Sequence, residues 1–430
     1  MSGATQRPPD AATVLVRAAD AGATYLTWRW LDAPGDPDYD VLTADRIAEV
    51  LGALDGALLR PDGTGVSAHA ALTTGAFADR EREHALARAL TDAVLPHRLL
   101  AQLRARSADG RIAVRITPSP RLSRVPWELL CVTACQRLIE IADVTYDPPV
   151  AVHAGRAKLP AESWSEVATL PVVFVVDPVV PPAAGLRAVL TAQDQSVWRE
   201  RLRRYTDQQR TSARDSTLAV RARVDRGTFS AALRAGRSRL LYFGHVSAAP
   251  DDPGSAALHL ADTVQRWGAP SSGAATGDHR PLTALDLLLG TTLADSSQWA
   301  RFGSDRAEDG PDLWPMPARV AIVACEGGAD YRSMETFGLV IALLNAGAGL
   351  VTTTRWMLPT DSALRSAGAT GQPTSGLALQ VDDAHETPDP VRTLAQWQIE
   401  RLQRWREHGD IGDTPLLWAS LTHTLAPARR

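Results

Sequence analysis

Short, unbroken apolar runs recur along the second half of the chain, at Val172–Val176, Leu240–Phe243, Val320–Ala324 and Leu350–Val351 with the β-branched threonines that follow. None shows the polar alternation of a half-exposed strand, so each fits a strand buried on both faces of a parallel sheet. After the third run the spacing changes: apolar residues at Met334, Phe337, Val340, Ile341 and Leu344 have helical period, Gly347 and Gly349 can end that helix in a left-handed turn, and Leu350–Trp356 resumes a strand. The predicted unit is strand, helix, strand. Such a crossover is right-handed and parallel, and residues just beyond the carboxyl ends of neighbouring strands then meet in one crevice.

The first half reads differently. Thr13–Arg17 and Thr24–Trp30 predict a hairpin around Ala21-Gly22, and Asp32–Asp40 is a Pro/Asp/Gly loop. Glu83–Arg106 is helical, with Leu86, Leu90, Val94, Leu99, Leu100 and Leu103 on one face and Pro96 a kink or break. Ile112–Ile116 and Leu138–Val144 read as strands. Further on, Gln193–Arg214 is a solvated helix or an exposed hinge, Leu218–Val224 a strand, Phe229–Ala235 a helix, Ala257–Leu260 a short strand and Val391–His408 the last helix. Loop-rich segments at Ala249–Gly254 and Gly268–Gly277 would rim a groove. The division this suggests is a non-catalytic α/β lobe over residues 1–160 and a second, catalytic lobe over residues 165–430.

Two of the apolar runs end on reactive side chains, His245 after Gly244 and Cys325 after Ala324. A cysteine becomes a nucleophile as thiolate, and an imidazole beside it can take the thiol proton and later return it. That pairing reads as a cysteine peptidase.

Five ordered motifs surround the pair: Arg124-Val125-Pro126-Trp127-Glu128-Leu129-Leu130, Leu241-Tyr242-Phe243-Gly244-His245, Ala321-Ile322-Val323-Ala324-Cys325-Glu326-Gly327, Gly347-Ala348-Gly349-Leu350-Val351 leading to Arg355-Trp356 and Asp361, and Pro415-Leu416-Leu417-Trp418-Ala419-Ser420. In these the sequence resembles the bacterial CHAT-domain proteins, relatives of caspases, separases and gingipains, from about Leu86 to the C-terminus. The resemblance implies a caspase-like, mostly parallel central sheet with helices on both faces. It implies Cys325 as nucleophile, His245 as acid/base partner, and the backbone amides of Val246 and Cys325 as oxyanion donors. Val246 stands where the family has glycine, and the Gly/Pro/Ser-rich stretch Gly371–Gly376 departs from the family's usual segment before the terminal helix. It also implies action on a partner protein in a bacterial defence or cell-death circuit, with a separate sensor or activator chain and a neighbouring effector, such as a pore-forming protein, as substrate.

Composition leaves that reading in place. A formal net charge of −4 gives no excess for nucleic acid, and no run approaches the roughly 18 apolar residues of a membrane span. The N-terminus carries no secretory apolar segment, so a cytoplasmic enzyme is expected. Three cysteines, Cys131, Cys135 and Cys325, make no disulfide scaffold. Cys131 and Cys135 lie four apart on a possible helical turn, with no second ligand pair spaced for a metal. No metal or organic cofactor is called for. Acidic residues that could select a basic P1 side chain are Asp177, Glu326, Asp330 and Asp361. His153, His259 and His279 have no motif around them and are expected on the surface or in loops. The arginines of Arg199–Arg210 are a candidate self-cleavage stretch. The alternative to a peptidase is an adaptor that keeps the fold as an interaction surface without turnover.

Overall fold

The computed structural model describes residues 11–59, 65–149, 161–207, 219–248, 252, 254–268, 277–293, 296–303, 308–324 and 336–426. Their strands are β1 (Thr13–Ala21), β2 (Ala23–Trp30), β3 (Asp38–Leu42), β4 (Ile112–Thr117), β5 (Ala142–Tyr146), β6 (Val172–Val176), β7 (Arg239–Gly244), β8 (Val246–Ser247), β9 (Ala257–Leu258), β10 (Leu282–Thr283), β11 (Arg319–Ala324), β12 (Leu350–Thr354) and β13 (Leu421–Leu425). Ten of them form one sheet in the order β3-β2-β1-β4-β5-β13-β12-β11-β7-β6, and β10-β9-β8 form a second, smaller one. The large sheet is mostly parallel; its antiparallel pairings are β1–β2, β2–β3 and β12–β13.

Burial follows the composition of each strand. β6, β7, β11 and β12 are buried at every position. Alternate residues of β7 and β11 feed two cores: Leu241, Phe243, Ala321 and Val323 face one, Leu240, Tyr242, Val320 and Ile322 the other. This half of the sheet is therefore covered on both sides. β2, by contrast, alternates strictly between buried and exposed positions after its first residue, so the first hairpin packs on one face only. The hairpin turns at Gly22, whose φ of +74° suits glycine.

Several expectations are corrected. The helix expected over Glu83–Arg106 with a kink or break at Pro96 is broken there, into Arg80–Val94, which starts earlier than expected, and His97–Arg106. Leu138–Ile141 is a helical turn rather than the start of β5, because the Glu140 carboxylate accepts from the Arg137 N–H at 2.6 Å and closes the turn. No strand runs through residues 219–224, where Arg221 turns the chain with φ +57°. The Gly/Pro/Ser-rich stretch opens a helix, Pro373–Ala384, whose first amides are capped by Asp361. Of the two alternatives for Gln193–Arg214, the described part is the helix, Gln195–Asp207, tied down by buried Trp198, Leu202 and Tyr205 and by Arg201 on Asp382; Arg210 lies outside the described residues. Cys131 and Cys135 sit in a tight hairpin closed by the Cys131–Arg137 bridge, not on a helical turn.

The motifs of the two halves are bolted to one another. Arg355, buried at the end of β12, donates to the Glu128 carboxylate at 2.6 Å, the Val125 carbonyl at 2.7 Å, the Tyr146 hydroxyl at 3.0 Å and the Leu421 carbonyl at 2.8 Å. Trp356 Nε1 donates to the Leu416 carbonyl at 2.8 Å. No helix among the described residues is long and apolar enough to cross a membrane.

Candidate active site

β7 and β11 lie side by side and parallel, in a register that pairs Arg239 with Arg319 and, at the carboxyl end, Gly244 with Ala324. Gly244 immediately precedes His245, and Ala324 immediately precedes Cys325. Cys325, Glu326, Asp330 and His153 themselves fall outside the described residues. What positions His245 is clear. Beyond β7 the chain enters β8 at Val246, which pairs with Leu258 of β9, and the His259 N–H donates to the His245 carbonyl at 3.2 Å. The Tyr242 hydroxyl bridges the carbonyls of His245 and His259, at 2.7 and 3.1 Å. In an antiparallel ladder bonded and non-bonded pairs alternate, so with 245 and 259 bonded, the neighbouring Val246 amide turns away from β9. Val246 is not among the non-glycine residues with positive φ, so it reaches this position without left-handed strain.

The His245 imidazole is buried, 4% exposed, with Nε2 2.6 Å from the carbonyl oxygen of Arg187. A carbonyl only accepts, so Nε2 carries the hydrogen and Nδ1 is left as the basic atom in the neutral ring. The segment that offers this carbonyl is held by Asp177, at the end of β6. Its carboxylate accepts from the amides of Val189 at 3.0 Å and Leu190 at 3.2 Å, and pairs with Arg221 at 3.0 Å. Asp177 and Arg221 are the two non-glycine residues with positive φ among the described residues, +45° and +57°. Backbone strain of this kind costs of order 1–3 kcal/mol per residue and persists where surrounding contacts over-determine it. Here both strained residues brace the strand end beside His245.

Asp177 is thus buried and committed to the chain's own amides rather than open to a ligand. Asp361 is likewise buried, accepting from the Thr374 amide at 2.8 Å and the Ser375 hydroxyl at 2.6 Å; burial pushes its carboxyl up despite those bonds. The structure brings Asp177 to the His245 edge through Arg187. It places Asp361 instead at the start of the helix Asp361–Ser366.

One residue that the sequence gave no reason to single out, His259, lies near His245, and a second, His279, lies against His259. His259 and His279, expected on the surface or in loops, are 6% and 1% exposed. The His259 and His245 rings are nearly perpendicular with centroids 6.5 Å apart, and His259 stacks on His279 at 5.1 Å. Burial, then His279 and His245, hold His259 well below the usual imidazole range, and burial lowers His279 too. The available signal was local: Ala256-Ala257-Leu258-His259-Leu260-Ala261 sets a lone polar residue in an apolar run. No group of three histidine, cysteine or acidic residues among the described residues is arranged to hold a metal ion.

The chain matches the CHAT domain family over residues 84–424. The solved separase–securin complex of Saccharomyces cerevisiae is similar in structure, with a TM-score of 0.50 at 9% sequence identity, over 97% of this chain and 30% of the matched one. At that identity the likeness is one of fold, and the mostly parallel α/β architecture read from the motifs is the caspase-like one. The chain spans under a third of the length of that matched chain. No curated protein sequence matches it significantly.

Proposed function

Because this chain belongs to the CHAT-domain family, we propose that it is a cysteine endopeptidase that cuts a partner protein. One observation carries the reading: the register that seats Gly244 opposite Ala324, so that the next residues in sequence are an imidazole and a thiol. His245 takes the Cys325 proton on Nδ1, its Nε2–H steadied by the Arg187 carbonyl as positive charge develops on the ring. The thiolate attacks a peptide carbonyl, and the amides of Val246 and Cys325 hold the oxyanion. His245 returns the proton to the leaving amine, and water then releases the acyl group from sulfur. No metal or organic cofactor enters these steps.

The covered imidazole, 4% exposed, fits an enzyme that waits for a trigger. A separate sensor or activator chain would supply it, and a neighbouring effector such as a pore-forming protein would be the substrate, in a bacterial defence or cell-death system in the cytoplasm. Asp177 and Asp361 being engaged, selection of a basic P1 residue falls to Glu326 or Asp330. The same covered imidazole favours, as a second reading, an adaptor that binds without turnover.

A panel of fluorogenic peptides with Arg, Lys, Leu or Asp at P1, together with the proteins encoded beside this one, separates the two. The expected outcome is cleavage after one P1 type that iodoacetamide abolishes by alkylating Cys325. Silence across the panel and with every neighbouring protein would leave the adaptor.

A further inference from the structure

Asp177 is bonded both to the strand that carries His245 and to the segment that touches the imidazole. Its own N–H donates to the Phe243 carbonyl at 2.6 Å, two residues before His245. Its carboxylate accepts the amides of Val189 and Leu190, two and three residues beyond Arg187. The Arg187 carbonyl in turn meets His245 Nε2 at 2.6 Å. These bonds close a circuit that runs from the imidazole along β7 to Asp177, through its side chain to residues 187–190, and back to the imidazole. The turn at Arg221 fastens the circuit to the end of β6. The Arg221 N–H donates to the Val176 carbonyl at 3.0 Å, its guanidinium pairs with the Asp177 carboxylate at 3.0 Å, and the Val179 N–H donates to the Ala222 carbonyl at 3.0 Å.

The backbone shows that this arrangement is held against a penalty. At φ +45° a glycine would sit without strain, and an aspartate does not. Such strain persists where contacts over-determine it, and it collects at functional sites. Asp177, Val189 and Leu190 are all buried, so the bonds between them are not shared with bulk water. We infer that Asp177 is a positioning residue for the proton transfer: by fixing the Arg187 carbonyl against Nε2, it selects the His245 tautomer whose basic lone pair is on Nδ1, the atom that receives the Cys325 proton. Without that acceptor the neutral ring can carry its hydrogen on either nitrogen, and the form with Nδ1–H cannot take a proton there. That the selected tautomer serves turnover rests on the peptidase reading; that Asp177 selects it does not. Asp177 and Arg221 pair with each other, so the effect reaches His245 through geometry rather than net charge. The other titratable ring nearby, His259, has its centroid 6.5 Å away and is held well below the usual imidazole range, first by burial.

The first readout needs neither substrate nor thiol. In Cys325→Ala protein carrying nitrogen-15 histidine, two-bond nitrogen–proton correlation at about pH 9, well above the ordinary imidazole value of about 6.5, reports which ring nitrogen holds the hydrogen. The His245 signal is the one that His245→Gln removes, and it should show the Nε2–H form as the dominant species. Asp177→Asn keeps one acceptor; Asp177→Gly keeps none and relieves the left-handed backbone. In each, the ratio of Nδ1–H to Nε2–H should rise roughly 3- to 10-fold, the worth of one neutral hydrogen bond. Should one of the two fail to fold, the other gives the answer. The second readout, in protein that keeps the thiol, is the pH midpoint of iodoacetamide labelling of Cys325, followed by peptide-resolved mass spectrometry. Each variant should raise it by about 0.5–1 unit, because the imidazolium loses an acceptor. Asp177→Gly combined with Arg221→Gly removes both charges together and should keep that rise. A folded Asn or Gly variant with an unchanged tautomer ratio overturns the inference and leaves the segment held by the buried Val189 and Leu190 side chains alone. A tautomer shift with the midpoint unmoved overturns it too, as does a midpoint rise that vanishes in the double variant, which would be the work of a stranded guanidinium. His245→Ala reports on the underlying reading separately: if it leaves the Cys325 midpoint unmoved, the dyad itself is wrong whatever the tautomer shows.

Discussion

Replacing His245 with alanine should lower kcat/KM on the cognate protein substrate by roughly three to four orders of magnitude, the usual worth of a positioned general acid and base. The loss should fall on kcat more than on KM, because the imidazole acts on the thiol and the leaving amine rather than on substrate side chains. The contacts around this residue hold it in place without using Nδ1. Its backbone carbonyl is taken by Tyr242 and His259, its Nε2 faces the Arg187 carbonyl, and the ring is buried. His245→Gln, which can keep a donor to Arg187 but cannot shuttle a proton at neutral pH, should be nearly as impaired as alanine. Retention of more than a tenth of the activity by either variant would show that the proton moves elsewhere.

The second large effect is on stability. Arg355 is 1% exposed and pairs with Glu128, also 1% exposed, in a contact that joins two of the sequence motifs. Removing one partner of a buried pair strands the other charge and costs about 3–5 kcal/mol, whereas removing both can be close to neutral. Arg355→Met should therefore lower the unfolding free energy in urea by that amount, and adding Glu128→Gln should recover much of it. The sign of the pH dependence follows from Glu128. Burial already pushes its carboxyl up, with Arg355 opposing that rise, so removing Arg355 raises it further above the value in the unfolded chain. A carboxyl raised by folding contributes stability below its unfolded value and loses it as pH climbs. The deficit of Arg355→Met should thus be larger at pH 8 than at pH 5. A single variant within about 1 kcal/mol of the parent protein, or a double variant worse than the single, would contradict the account.

What the sequence disclosed depended on whether apolarity alone did the work. β6, β7, β11 and β12 are recognisable because each is buried on both faces and carries a run of apolar or β-branched residues that shows in the sequence. β13, Leu-Thr-His-Thr-Leu, was not recognisable as a strand. Its polar residues are buried only because β12 supplies partners from far away in sequence, Thr353 for Thr422 at 2.8 Å and Thr352 for His423 at 3.2 Å. The helix Pro373–Ala384 went unassigned for a related reason: the Gly/Pro/Ser-rich stretch Gly371–Gly376 shows no helical period, and the Asp361 carboxylate that caps the first turn comes from outside it. Proline at the first helical position is itself a start signal, but without a visible cap it is indistinguishable from loop punctuation.

The same limit applies to the site. His245 stood out because an apolar strand delivers it, and the paired strand ends at Gly244 and Ala324 are what a parallel crossover predicts. Asp177 was read as a specificity residue because its carboxylate stands at a strand end. Its actual contacts, two amides twelve and thirteen residues on and an arginine forty-four residues on, leave no periodic trace. His259 and His279 needed a three-stranded sheet that sequence patterning reduced to one short strand. Where function rests on tertiary hydrogen bonds between distant polar residues, composition gives only the oddity of a polar residue among apolar neighbours.

The central claim is that positions 245 and 325 meet at one sheet border, and a disulfide trap tests it most directly. Adjacent strands place paired Cα atoms about 5 Å apart, inside the roughly 4.4–6.8 Å window that a disulfide bridges. In a His245→Cys variant, mild oxidation of the folded protein should join the introduced thiol to Cys325, identified by non-reducing peptide mapping. Recovery of both thiols alkylated singly from the oxidised, still folded variant would contradict the account.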